Sequence, residues 1–82
     1  MKYFVYVIYS LNAQRKYIGH TENIEMRLIQ HNNGLLGIYT KNKGPWELIY
    51  SEELESRSEA MIREKYLKTG VGRDFIKSKT GL

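Results

Sequence analysis

Apolar residues are concentrated in short runs that predict strands in the first half of the chain. Residues 3–9 are almost continuously β-branched or aromatic, which is typical of a strand buried on both faces. Residues 15–19 predict a second strand that ends at Gly19, and the mostly polar or small residues 11–14 between the two runs favour a hairpin. Apolar and polar side chains alternate over residues 46–50, which predicts a third strand.

Capping signals predict two helices after the hairpin. Thr21 or Asn23 is the expected N-cap of the first helix, which runs to residue 30 or 32, where an Asn-Asn-Gly sequence ends it. Ser56 and Glu59 have the spacing of a capping box, and the helix that they open continues to about residue 68. Together the elements predict an α/β fold of the α+β type, a three-stranded antiparallel sheet flanked by helices in the order β-β-α-β-α-α.

A short final helix is predicted after the turn at residues 70–72. We expect three of its apolar side chains to pack against the rest of the protein: Val71, Phe75 and Ile76. Three cations on the same helix are expected to be exposed: Arg73, Lys77 and Lys79.

Length and composition narrow the classes of protein. With 82 residues, the sequence predicts one domain over residues 1–82. It contains no cysteine, which excludes disulfides and cysteine-based metal sites. The longest apolar run, residues 4–9, is far shorter than the ~20 residues that span a bilayer, and no signal-peptide pattern follows it. We therefore expect a soluble, cytoplasmic protein without a membrane partner.

The charge is unevenly distributed. The formal net charge is +4, with a pI of about 9.4. Seven of the Lys and Arg residues lie from Arg57 onward, against three acidic residues, whereas four glutamates occupy residues 47–55. This asymmetry is compatible with a polyanionic partner such as DNA, whose phosphates the basic end could hold, or with an ordinary solvated helix surface.

Two tyrosines occupy neighbouring strands of the predicted hairpin. Side chains alternate along a strand, so Tyr6 shares a face with Phe4 and Ile8, and Tyr17 shares one with Gly19. A hairpin in register directs both hydroxyls into one region. Gly19 has no Cβ, so a backbone, a water or a phosphate oxygen could approach it closely. Taken alone, these residues are most simply explained as part of a small aromatic-rich sheet.

Three further polar residues lie beside predicted apolar faces. Arg27 and His31 flank the apolar pair of the first helix, Ile24 and Leu28. A cation there requires an anion, which is either a protein carboxylate or a phosphate. Glu64 lies between apolar neighbours on the second helix, and an inward carboxylate also requires a partner. Pairing with Arg27, a hydrogen bond to a tyrosine and binding of a cation all remain open for Glu64.

These residues, in this order, resemble the signature of the GIY-YIG nuclease superfamily. Tyr6 and the Tyr-Ile-Gly sequence at residues 17–19 are similar to its paired motifs. Arg27, eight residues beyond the second motif, and His31, one turn later, resemble the family's helical arginine and a histidine that follows it. Glu64 resembles the metal-binding glutamate of a later helix. The resemblance covers nearly the whole chain and is closest to small stand-alone members.

The sequence departs from the family pattern at two points. Phe4 stands where the first motif usually has glycine, although the tyrosine is its functional member. Many members also hold an asparagine in the C-terminal element, and this chain has none after Asn42. Any task of that asparagine would fall to another group here.

The resemblance implies an endonuclease that hydrolyses DNA phosphodiester bonds with one divalent cation, selecting DNA by structure and serving repair or recombination. Tyr6 is the expected general base, with its pKa lowered by nearby positive charge, and Tyr17 positions the water or the phosphate. Arg27 clamps a phosphate oxygen. His31 holds Tyr6 or shuttles protons, because imidazole titrates near neutral pH. Glu64 is the expected protein ligand of Mg²⁺ or Mn²⁺.

Substrate contacts are expected from four further residues: Lys16, Gly19, Lys41 and Lys43. The first alternative is a nucleic-acid-binding module on the same fold with no turnover, favoured by the missing asparagine and the small size. The second is a protein-interaction domain that uses the strand at residues 46–50 as an edge. No residue pattern supports this second alternative.

Overall fold

Three strands and three helices follow one another in the predicted order β-β-α-β-α-α. The structure is a computed structural model that describes residues 2–36 and 43–82. The elements are β1 (Tyr3–Ser10), β2 (Arg15–Thr21), α1 (Ile24–Asn32), β3 (Glu47–Leu54), α2 (Arg57–Leu67) and α3 (Gly70–Thr80). In the described ranges, every helix is too short or too polar to cross a membrane.

The sheet is antiparallel with the strand order β2-β1-β3, so β1 is the central strand. Its alternating side chains are buried on both sides, with Val5 and Val7 on one face and Tyr6 and Ile8 on the other. This burial and the three-stranded antiparallel sheet confirm the predicted fold class. β2 and β3 are the two edge strands of the sheet.

Both outer strands are longer than the sequence predicts. The predicted end of β2 at Gly19 is wrong, because pairing with β1 continues as far as Thr21, opposite Phe4. β3 likewise continues beyond Tyr50 to Leu54, which pairs with Tyr3. The central strand supplies hydrogen-bonding partners along its whole length, and this outweighs the polar character of the added residues.

Two apolar clusters cover the two faces of the sheet. On one face α2 and α3 close over the cluster of Val5, Val7, Ile18, Ala60, Leu67 and Ile76. On the other face Tyr6, Ile8 and Trp46 pack with Tyr17, Ile24 and Leu28. Trp46 is therefore a core aromatic, with only 2% of its surface exposed.

The helix caps are those that the sequence predicts. Asn23 is the N-cap of α1, and its side chain accepts a hydrogen bond from the backbone NH of Met26. Ser56 caps α2 in the same way by accepting from the backbone NH of Glu59. These caps fix where the two helices that carry Arg27 and Glu64 begin.

Val71 does not pack against the core, contrary to the prediction. Its side chain is 65% exposed, and Gly72 is the buried residue at this end of α3. A Cβ on Gly72 would overlap the backbone of Leu67, so the absence of a side chain lets α3 approach α2 closely. With Gly72 turned toward α2, the helical rotation of about 100° per residue directs Val71 away from it.

A paired contact fixes α2 against β3. Arg63 donates through Nε and Nη2 to the two carboxylate oxygens of Glu52, at 2.7 and 2.9 Å. Such a bidentate pair restricts orientation as well as distance. The next residue, Glu64, is thereby directed to the opposite edge of the sheet, where it contacts His20 of β2.

Candidate active site

The Tyr6 hydroxyl and the His31 imidazole form a buried pair. Tyr6 Oη lies 2.9 Å from His31 Nε2, and each residue is only 2% exposed. Tyr17 completes the group, with its ring centroid 4.8 Å from that of His31 and 6.4 Å from that of Tyr6. Three of the predicted site residues, from two strands and α1, thus meet on one face of the sheet.

Gly19 provides the space that the Tyr6 ring occupies. The two residues pair directly across β1 and β2. A Cβ at position 19 would lie 2.5 Å from Tyr6 Oη and 2.7 Å from Tyr6 Cζ, closer than real side chains approach. The sequence assigns Gly19 to substrate contact, and the structure gives it a further task, the accommodation of Tyr6.

The pKa values of this pair differ from the expectation. Burial, with a smaller contribution from the Arg27 charge, lowers the pKa of His31 to about 4, so His31 is neutral at pH 7 and does not titrate near neutrality. Burial also raises the pKa of Tyr6 well above its usual range, and Tyr17 adds to the increase. Arg27 does lower the Tyr6 pKa as expected, but desolvation outweighs it. The predicted net lowering is wrong for the unbound protein.

Arg27 acts on the same hydroxyl from α1, because its positive charge lowers the pKa of Tyr6. One ring nitrogen of the neutral His31 carries the proton, and in the tautomer protonated at Nδ1 the Tyr6 hydroxyl donates to His31 Nε2. Arg27 also lines a polar cavity of about 410 Å³, together with Tyr3, His20, Thr21, Glu22 and Arg57. One arginine therefore connects the buried pair with a cavity open to an anion.

Glu64 is held from two sides at the edge of β2. His20 Nδ1 lies 2.6 Å from Oε1, and Lys68 Nζ donates to Oε2 at 2.8 Å. Burial opposes ionisation, but Lys68 and His20 together hold the pKa of Glu64 below its usual range. The structure gives Glu64 two partners that the three alternatives did not include, His20 and Lys68, and binding of a metal cation stays a prediction.

The donor set at Glu64 suits a loosely held hard cation. Both donors are carboxylate oxygens, the side chain is 20% exposed, and Oε2 already faces an ammonium group. Among residues 2–36 and 43–82, no group of three or more His, Cys, Asp and Glu could hold a metal ion. A single carboxylate completed by water and phosphate oxygens is typical of Mg²⁺ rather than of an all-protein site.

Two residues in this region escaped the sequence-based prediction. His20 contacts Glu64, and both His20 and Arg57 line the cavity beside Arg27. Strand alternation predicts that His20 lies on the other face of β2 from Tyr17 and Gly19. Only the packing of α2, however, brings Glu64 to the face that carries His20. No sequence pattern around Arg57 predicts that it lines this cavity. Its position depends on α2 beginning beside the end of β2.

The predicted substrate-binding lysines are dispersed. Lys16 contacts the Leu82 carbonyl oxygen and lines a second cavity. The backbone carbonyl of Lys43 accepts a hydrogen bond from the Ser10 hydroxyl. Lys41 lies outside the described residues.

The second cavity, of about 650 Å³, is named the basic groove. Its lining residues come from β2, α2 and α3, and they are Arg15, Lys16, Tyr17, Ile18, Lys68, Arg73 and Ile76. It contains four cations and no carboxylate side chain. Tyr17 connects it with the Tyr6–His31 pair, and Lys68 connects it with Glu64.

Comparison with known proteins identifies the family of this chain. The family model of the GIY-YIG catalytic domain matches residues 2–76, and the chain belongs to this family. A UPF0213 protein of Staphylococcus epidermidis is 41% identical over 76 residues, which cover 93% of this chain and 92% of that protein. A UPF0213 protein of Clostridium perfringens is 40% identical, over 79% of this chain and 69% of its own length.

A solved structure has the same fold. The solution NMR structure of the UPF0213 protein BH0048 from Bacillus halodurans matches with a TM-score of 0.58 and 26% identity. The match covers 99% of this chain and 88% of that one. The predicted membership of the GIY-YIG family is therefore confirmed, and at the level of the superfamily the chain is a nuclease-type hydrolase domain.

Proposed function

We propose that this protein is a divalent-metal-dependent endonuclease that hydrolyses DNA phosphodiester bonds. The observation that carries the proposal is the arrangement around Tyr6, whose hydroxyl lies 2.9 Å from a neutral imidazole and is influenced by the charge of the Arg27 guanidinium. A phenol placed between a proton acceptor and a fixed cation is suited to removing a proton from water. Glu64 lies at the β2 edge and its charge acts on Tyr6, and it provides the carboxylate that the metal requires.

Proton transfer in this proposal runs through two side chains. The attacking water gives its proton to Tyr6 Oη while the Tyr6 proton moves to His31 Nε2, 2.9 Å away. The resulting imidazolium is disfavoured in the free protein by burial and by Arg27. A phosphate bound to Arg27 would offset that charge and raise the basicity of His31. Substrate binding would thereby activate the base.

The phosphate is held from the cavity side. Arg27 clamps a non-bridging oxygen, because a guanidinium matches its geometry better than an ammonium group does. Tyr17, beside Tyr6, orients the water or the phosphate. The cation at Glu64, Mg²⁺ or Mn²⁺, supplies charge stabilisation for the phosphate and the leaving oxygen.

DNA would be selected by structure rather than by sequence. Cations line both cavities formed by the described residues. Those residues include no helix or β-ribbon of a kind that reads base edges. Phosphate contacts set orientation but carry no sequence information. A cytoplasmic role in repair or recombination is the setting that we propose for such an enzyme.

The alternative is a nucleic-acid-binding module without turnover. It is favoured by one observation, the engagement of both Glu64 oxygens by His20 and Lys68. If these contacts persisted with DNA bound, they would compete with a metal for both oxygens, and the protein would bind without cutting.

Cleavage assays separate the two functions. Plasmid, single-stranded and branched DNA are incubated with the protein, with and without Mg²⁺ or Mn²⁺. The nuclease predicts metal-dependent products that Glu64→Ala abolishes and that Glu25→Ala, an exposed carboxylate on α1, leaves unchanged. DNA binding by a folded protein without products under any metal condition would favour the binding module.

A further inference from the structure

One side chain, Lys68, belongs both to the basic groove and to the partners of Glu64. Its ammonium lies 2.8 Å from Glu64 Oε2, and the same residue lines the groove. The Lys68 side chain is 49% exposed and follows the last residue of α2. A lysine stem has several rotatable bonds, so the ammonium can leave the carboxylate and turn into the groove without any movement of the backbone.

The groove has the chemistry of a polyanion site. In the part of the chain that the structure describes, Arg15 and Arg73 form no ion pair with a protein carboxylate, and both are exposed. Four cations line a cavity of about 650 Å³ above apolar side chains from Ile18 and Ile76. An extended phosphodiester backbone presents repeated negative charges to such a row of cations, whereas a small monoanion would satisfy only one or two of them.

Resting on the proposed nuclease function, we propose that the basic groove binds the phosphodiester strand beside the scissile phosphate. Occupancy of the groove transfers Lys68 from Glu64 to a phosphate. The transfer frees Glu64 Oε2 for the divalent cation.

The physical basis is competition for one carboxylate. A cation that approaches Glu64 while Lys68 remains in contact meets a like charge a few ångströms away, which weakens its binding. A phosphate in the groove offers Lys68 an alternative anion. DNA therefore strengthens cation binding, and by linkage the cation strengthens DNA binding to the same extent.

Binding of Mn²⁺ to the free protein tests the competition. Free Mn²⁺ is counted by its electron paramagnetic resonance signal during a titration. Lys68→Gln should tighten Mn²⁺ binding about 3- to 10-fold, the order expected for removing a like charge a few ångströms from the metal. Lys65→Gln removes an equal charge from an exposed site on α2 and should change the affinity less than about twofold. Equal effects of the two variants would overturn the competition.

Coupling between DNA and the cation tests the transfer. Anisotropy of a fluorescent DNA oligonucleotide is measured with and without Mn²⁺ in a Tyr6→Phe background, which prevents cleavage. The gain in DNA affinity caused by Mn²⁺ should fall about 3- to 10-fold when Lys68→Gln is added. Part of the gain remains, because phosphate and metal also attract each other directly. An unchanged gain would overturn the transfer of Lys68.

The groove itself is tested without metal. Arg73→Gln should weaken oligonucleotide binding several-fold and reduce its salt dependence. Lys79→Gln is the matched control, because the Lys79 ammonium lies over the Phe75 ring, 5.6 Å from its centroid, and does not line the groove. Equal losses in the two variants would remove the groove from DNA binding.

The outcome for Glu64→Gln distinguishes this inference from the proposed function. If Mn²⁺ binding survives Glu64→Gln, the metal site of the proposed function is wrong. If Glu64→Gln abolishes binding while Lys68→Gln has no effect, the metal site stands and only the role of Lys68 fails.

Discussion

Tyr6 fills the space that a side chain at position 19 would require. A Cβ on Gly19 would lie 2.5 Å from the Tyr6 hydroxyl, and the two residues are direct partners across β1 and β2. Tyr6 is buried and hydrogen-bonded to His31, so it has little freedom to retreat. The glycine of the second motif and the tyrosine of the first are therefore a single steric unit.

Gly19→Ala should destabilise the protein and reduce cleavage, because Tyr6 must move away from His31. We expect a loss of about 1–3 kcal/mol, the range for overpacking a core. Gly70→Ala is the control, since no atom lies within 4 Å of a Cβ added there. Thermal melting measures both variants, and equal melting temperatures for Gly19→Ala and the wild type would contradict the steric account.

Tyr6→Phe should lower cleavage by at least ~100-fold, the usual contribution of a general base. The ring still packs, so the fold should persist with a stability loss of about 1–2 kcal/mol from the missing hydrogen bond to buried His31. Tyr9→Phe serves as the control, because Tyr9 is a β1 tyrosine outside the site. Single-turnover rates decide the matter, and near wild-type turnover would remove Tyr6 from the mechanism.

Acid should destabilise the protein through His31. Its pKa is about 4 in the folded state against 6.5 for the unperturbed group, so between these values the unfolded chain binds more protons. Stability therefore falls as the pH falls through this window, by about 2 kcal/mol between about pH 7 and about pH 5. Because the pKa of Glu64 is also lowered, its protonation reduces the stability further, but only at lower pH.

His31→Gln isolates this effect, because its amide oxygen can still accept the Tyr6 proton but does not titrate. Urea unfolding at the two pH values should show a smaller loss in the variant than in the wild type. The same loss in both proteins would assign the acid sensitivity to other groups.

Glu64→Gln should abolish metal-dependent cleavage at a modest cost in stability. The carboxylate is only partly exposed, but Lys68 is half exposed and well solvated, so we expect a loss of about 1 kcal/mol at neutral pH. This corresponds to a decrease of about 4–8 °C in the melting temperature of a domain of this size. A loss of ~3–5 kcal/mol, with cleavage surviving in the folded fraction, would make Glu64 a scaffold residue.

DNA binding should be weak and steeply dependent on salt. The cations of the basic groove act on phosphates, and each neutralised phosphate releases counterions. Affinities measured from low to moderate salt should give a linear decrease of log K with log salt, similar for unrelated sequences. A binding constant that does not change with salt concentration would exclude phosphate contacts as the basis of DNA binding.

Local sequence patterns predicted most of the fold and the part of the site that β1, β2 and α1 contribute. Strand alternation and the length of the hairpin loop are local properties, and they predict that Tyr6 and Tyr17 approach each other. The caps at Asn23 and Ser56 depend on backbone groups within one turn, so the helix starts were also predictable. The helical period likewise places Arg27 and His31 on the flank of the apolar stripe.

Tertiary packing decided the remainder. Extension of β2 to Thr21 depends on pairing with β1, and exposure of Val71 depends on the close approach of Gly72 to α2. The pairing of Glu64 with His20 joins residues 44 positions apart, which no local pattern specifies. The pKa of His31 was missed for the same reason, because desolvation arises only when both sides of the imidazole are covered by the folded chain.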